Sequence, residues 1–194
     1  MTAQKNMKQK RESTAIAAMI KMNILAALVA KADVARAVAE SMTQALATTS
    51  GNTGAAAATM IAAATLGAIR GAIQTGCELA PAAQGLMVGI LCGTRLVGSE
   101  VIDTIRITAC IALKAVAESG GDPAPTATGL VRGAIQGAIE IGIHAEDAAA
   151  AAALGALNAV GDVRSTAYQA VLAALSRPID GITIEPEEPA VSSN

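Results

Sequence analysis

"RGAIQGAIEIG", residues 132–142, decides how this chain is read, and it nearly repeats "RGAIQTG" at residues 70–76. In and around these stretches glycine recurs at every fourth position. Gly67 and Gly71 form one series, Gly129, Gly133 and Gly137 a second, and Gly85, Gly89 and Gly93 a third. On a helix this spacing places the glycines along one narrow stripe. Each glycine costs about 0.5–1 kcal/mol relative to alanine in a helix interior, so their regular recurrence needs an offsetting gain. Without Cβ atoms, two helix axes can draw closer than the usual 8–10 Å or so, which permits dense contact and weak Cα–H···O bonds. The eight glycines are therefore read as helix-packing faces, within the chain or between copies. Membrane helices use the same stripe, but Arg70, Gln74, Arg132, Gln136 and Glu140 lie among these glycines and would be awkward in lipid.

Composition agrees with helix. Of 194 residues, 47 are alanine and 18 glycine, with neither Phe nor Trp and a single tyrosine, Tyr168. Alanine has the highest helix propensity, and almost no aromatic strand formers compete with it. The expected class is all-α. Alanine buries little apolar area and the large aromatic side chains are missing. Burial must then come from tight helix contact, from association between chains, or from both.

Shifting the sequence by 66 residues without gaps superposes Gly71, Ala72, Ile73 and Gly76 on Gly137, Ala138, Ile139 and Gly142. Gly89, Leu91, Val97 and Ser99 likewise fall on Gly155, Leu157, Val163 and Ser165. The expectation is a tandem repeat of three helices. The first runs over about 54–75 and 127–141, each copy ending at a glycine (Gly76, Gly142), a usual helix stop. The second starts near Pro81 and near Glu146-Asp147, both favourable in a first turn. The third follows Ser99 and Asp162 as candidate caps. "ESGGDPAPTATG", residues 118–129, reads as a linker. One long helix over 13–48 precedes the repeats and ends at "TTSGNTG". The resulting division is 1–50 for a basic N-terminal helix, 51–121 and 122–177 for the two repeats, and 178–194 for an extended acidic tail with a short strand at 182–184.

The run "RGAIQGAIEIG … AEDAAAAAALGAL … VGDV" and the closing "IDGITIEP" resemble a loosely defined group of bacterial Ala/Gly-rich helical repeat proteins without assigned function. The likeness covers roughly residues 66–186. It implies no substrate, cofactor or active residue.

Charge is unevenly spread. Residues 1–36 carry seven Lys/Arg against Glu12 and Asp33, a net of +5, and residues 177–194 carry Arg177 against four carboxylates, a net of −3. A basic front can meet a membrane surface or an acidic protein, the tail included. Nucleic acid is not expected, since no aromatic platform accompanies the basic residues. Cys77, Cys92 and Cys110 are odd in number and set among apolar neighbours, as in reduced cytosolic proteins. Lys21 and Asn23 interrupt the apolar part of a signal-peptide-like start, so export is not expected. Residues 41–69 carry no charge, but their Ala, Thr, Ser and Gly content favours a buried helix over a bilayer span.

Chemistry is sparse. His144, with Glu140, Glu146 and Asp147 nearby, lacks the paired Glu-x-x-His spacing and the second histidine of a bundle metal site. It reads as a solvated turn residue. No Cys-x-x-Cys, His-Glu-x-x-His or phosphate-loop pattern occurs. Neither catalysis nor a metal or cofactor is expected. The reading is a non-catalytic, cytoplasmic structural or assembly protein that forms homo-oligomers, scaffolds or filaments. The alternative is a membrane-peripheral accessory protein that binds lipid or another apolar ligand.

Overall fold

The computed structural model describes residues 33–47, 55–94 and 99–184, with isolated helical positions between 11 and 26. Among the continuously described residues seven helices follow one another: α1 (Val34–Ala47), α2 (Ala55–Thr75), α3 (Leu79–Gly93), α4 (Ser99–Glu118), α5 (Pro123–Ile141), α6 (Ala145–Val160) and α7 (Thr166–Leu175). Among the described residues the chain is all-helical apart from a single β-bridge near its end.

Several boundaries follow from local chemistry that composition alone obscures. A continuous helix over 13–48 does not form. Asp33 is non-helical, and its carboxylate accepts from the backbone N–H groups of Ala35 and Arg36, capping a new helix. The 118–129 linker is shorter than expected, because α5 already begins at Pro123. Proline suits the first turn, where its missing N–H would have no partner, and Asp122 caps that turn by accepting from Ala124 N at 3.0 Å. At the third-helix position Ser165, not Asp162, is the cap, accepting from Tyr168 N at 3.1 Å. Gly76 and Gly142 end α2 and α5 with φ of 67° and 77°, the left-handed conformation that glycine adopts freely. The "TTSGNTG" stop, most of the basic N-terminus and residues 185–194 lie outside the described residues.

The helices form two layers. In one, α3 packs on α1, α5 on α3, and α7 on α5; in the other, α4 packs on α2 and α6 on α4. Consecutive helices also touch across the layers. Packing partners thus recur every second helix, whereas the 66-residue register relates helices three apart. The charge-free stretch 41–69 is divided between α1 and α2, which pack side by side in different layers. Among the described residues no helix is long and apolar enough to cross a membrane.

The core is built largely from small side chains. Ala64, Ala72, Ala83, Ala109, Ala112, Ala127, Ala134, Ala148 and Ala152 are fully buried, with Leu86, Met87, Ile90, Ile105, Leu113 and Leu130 filling the spaces between. Buried hydroxyls are returned to their own helix: Thr65 donates to Ile61 O at 2.7 Å and Ser41 to Ala37 O at 2.6 Å. Such bonds satisfy a polar group that would otherwise be costly inside.

After α7, Pro178 prevents continuation of the helix. Ile179 and Ile182 exchange two backbone hydrogen bonds around Asp180 and Gly181. Both turn residues have positive φ, 49° and 86°, the primed-turn geometry that Asp-Gly favours. The strand expected at 182–184 is replaced by this minimal hairpin. Its Ile179 and Ile184 join the core at 3% and 6% exposure.

Candidate functional site

The glycines of α3 and α5 meet neighbouring backbone. A Cβ added at Gly85 would collide with the carbonyl of Ala35, and one at Gly89 would lie 2.6 Å from Ala39 O and 2.5 Å from Met42 Cβ. At Gly93 it would stand 3.0 Å from Thr43 Cα. Numbers rise together along both helices, so α1 and α3 run parallel and stay close for two turns. On α5 the pattern repeats. Gly129 faces the Ala80 carbonyl, Gly133 faces Gln84 O with Met87 Cβ at 2.9 Å, and Gly137 faces Leu91 Cδ1 at 2.6 Å. In the second layer Gly155 of α6 sits against the carbonyl of Arg106 on α4. Gly155 entered only as a repeat match; without a second glycine at helical spacing, nothing marked it as a contact.

Gly85, Gly89, Gly93, Gly129, Gly133 and Gly137 are thus each approached by another helix of this chain. Gly67 and Gly71 lie on α2, the first half-buried and the second buried.

Stacking creates a groove of about 660 Å³ over α1, α3 and α5, in which polar side chains bond to one another. Gln84 Nε2 donates to Gln136 Oε1 at 3.0 Å, and Gln136 Nε2 donates to Glu140 Oε1 at 3.1 Å. Cys92 Sγ donates to Glu140 Oε2 at 3.1 Å. Burial pushes the Cys92 thiol up to about 11, and the bond to Glu140 and its negative charge act in the same direction. A thiol held this way is a weak nucleophile at neutral pH. Burial also raises the Cys77 thiol. All three cysteines are free.

A second groove, of about 620 Å³, runs over α4 and α6. Ile102, Ala150, Leu154 and Leu157 line it, with Asp103, Arg106 and Asp147 at its edge and Ile184 of the hairpin reaching in. Asp103 and Arg106 pair with each other. His144 is exposed in the turn before α6 and makes no capping bond. Among the described residues no three of His, Cys, Asp and Glu stand close enough to hold a metal ion.

Compared with known protein families, characterised proteins and solved structures, the chain matches none.

Proposed function

We propose that this chain is a non-catalytic structural protein, a rigid helical stack that self-associates into a homo-oligomer, scaffold or filament. The observation that supports this reading is the backbone-to-backbone seating of three parallel helices, α1, α3 and α5, through two glycine series. Contacts so close resist sliding, because a displaced helix brings Cβ atoms against carbonyl groups. Stacks of this kind present extended outer faces, which suit assembly better than catalysis. We read the 66-residue register as the trace of a duplication that extended such a stack. The opposite charges of the basic N-terminus and the acidic tail suit a protein partner, and the free cysteines suit a cytoplasmic protein.

Light scattering on the intact chain, from low to high micromolar concentration, tests the reading. A mass that is a multiple of the monomer's is expected. A monomer at high micromolar concentration rejects it.

A further inference from the structure

We propose that the outer face of α4 is a two-fold seam on which a second copy of this chain docks antiparallel, α4 against α4. The inference rests on the self-association just argued and names the surface that carries it.

The two outer faces of the stack differ in character. Over α1, α3 and α5 the side chains are polar and bond to one another. On the other layer large apolar side chains stand open: Ile107 of α4 is 50% exposed and Leu154 of α6 is 42% exposed. Open positions on α4 recur with heptad spacing. Glu100, Asp103, Ile107, Cys110, Lys114 and Ala117 alternate steps of three and four residues, and each is exposed or half-buried. By this spacing one helix packs along another in a coiled coil.

The order of side chains in the stripe specifies what fits it. About a centre between Thr108 and Ala109 the stripe is complementary to its own reverse, with Ile107 opposite Cys110 and Asp103 opposite Lys114. An antiparallel copy therefore sets apolar groups together in the middle and carboxylate against ammonium at both ends. A parallel copy would instead set Asp103 on Asp103 and Lys114 on Lys114. The match comes from the order of residues in this stripe, not merely from the copies being identical. Both end charges are accessible. Asp103 pairs with Arg106 at 2.6 Å, the two side chains being 59% and 46% exposed, and exposed Lys114 has no ion-pair partner among the described residues.

Charge exchange tests the seam. Asp103→Lys alone, or Lys114→Asp alone, sets like charges opposite each other at both ends. Either is expected to lower the light-scattering mass to half that of the wild type at low salt, with helicity by circular dichroism unchanged. Both substitutions in one chain restore the two pairs between copies, and so does an equimolar mixture of the single variants. Each of these should recover the wild-type mass and lose it again as salt is raised. Within one chain the two positions lie about three turns apart on α4, so neither can rescue the other there. In the wild type a short bismaleimide should join Cys110 to its counterpart in the second copy, identified by peptide mapping. If the wild type is multimeric and the single variants keep its mass, the seam is wrong and self-association stands. If the single variants lose mass but neither the double variant nor the mixture recovers it, the antiparallel pairing is likewise overturned. A wild type that is monomeric at high micromolar concentration rejects both the seam and the broader reading.

Discussion

Thr108 is fully buried on α4, and its hydroxyl has no hydrogen-bond partner among the described residues. Thr65, equally buried, bonds its own helix. An unsatisfied buried hydroxyl costs about 1–3 kcal/mol, so Thr108→Val, of nearly the same shape, should raise the melting temperature, whereas Thr65→Val should not. Equal responses at both sites would contradict this. Cys92 gives a pH test. Its thiol is moved from an ordinary 9.0 to about 11, first by burial and then by Glu140. Iodoacetamide should therefore label it with a midpoint near pH 11, and Glu140→Gln should lower that midpoint without restoring it fully, since burial remains. A wild-type midpoint near 9 would refute the assignment. For stability the sign follows: the unfolded thiol ionises first, so its contribution is complete below pH 9 and is lost as pH rises towards 11. Nothing in the sequence names Glu140 as the partner of Cys92. They are 48 positions apart, and the stacking of α5 on α3 alone joins them.

Helix ends show what composition can and cannot reveal. The glycine stops at Gly76 and Gly142 are legible because only a left-handed residue closes a helix that way. The start of α5 is obscured, since "GGDPAP" has the make-up of a loop. Proline followed by alanine after an aspartate is also a capped first turn, and the tertiary packing of Ala127 and Leu130 selects that option. Asp122→Ala should then destabilise the protein by about 1 kcal/mol, read as a lower midpoint in urea with an unchanged slope. An unaffected midpoint would mean that the cap contributes nothing. Asp33 acts likewise at α1, where alanine-rich flanks suggest an unbroken helix. The hairpin at Asp180-Gly181 carries a recognisable turn dipeptide between isoleucines, although the acidic, proline-containing tail around it reads as merely extended.

For the molecule as a whole, the all-α class is legible, because alanine content is a local signal, as is the four-residue spacing of the glycines. Which helix each face meets is not, since a stripe of glycines carries no address. The same ambiguity hides the period of two in the packing behind a sequence register of three helices. The central claim is that glycine is required where helices touch, and substitution by alanine tests it through the sign of the effect. Alanine raises intrinsic helix propensity by up to about 1 kcal/mol, while overpacking a close contact costs typically about 1–3 kcal/mol. Gly85, Gly129 and Gly155 face backbone carbonyls that cannot rotate away, whereas Gly137 faces the mobile end of Leu91. Losses should be largest at the first three and smallest at Gly137. A protein of this length changes its melting temperature by roughly 2–4 °C per kcal/mol. The most direct measurement is the melting temperature of Gly85→Ala, at the contact of α3 with α1, and of Gly133→Ala, at the contact of α5 with α3, each against the wild type. Both are predicted to melt several degrees lower, and variants that melt higher would contradict the account.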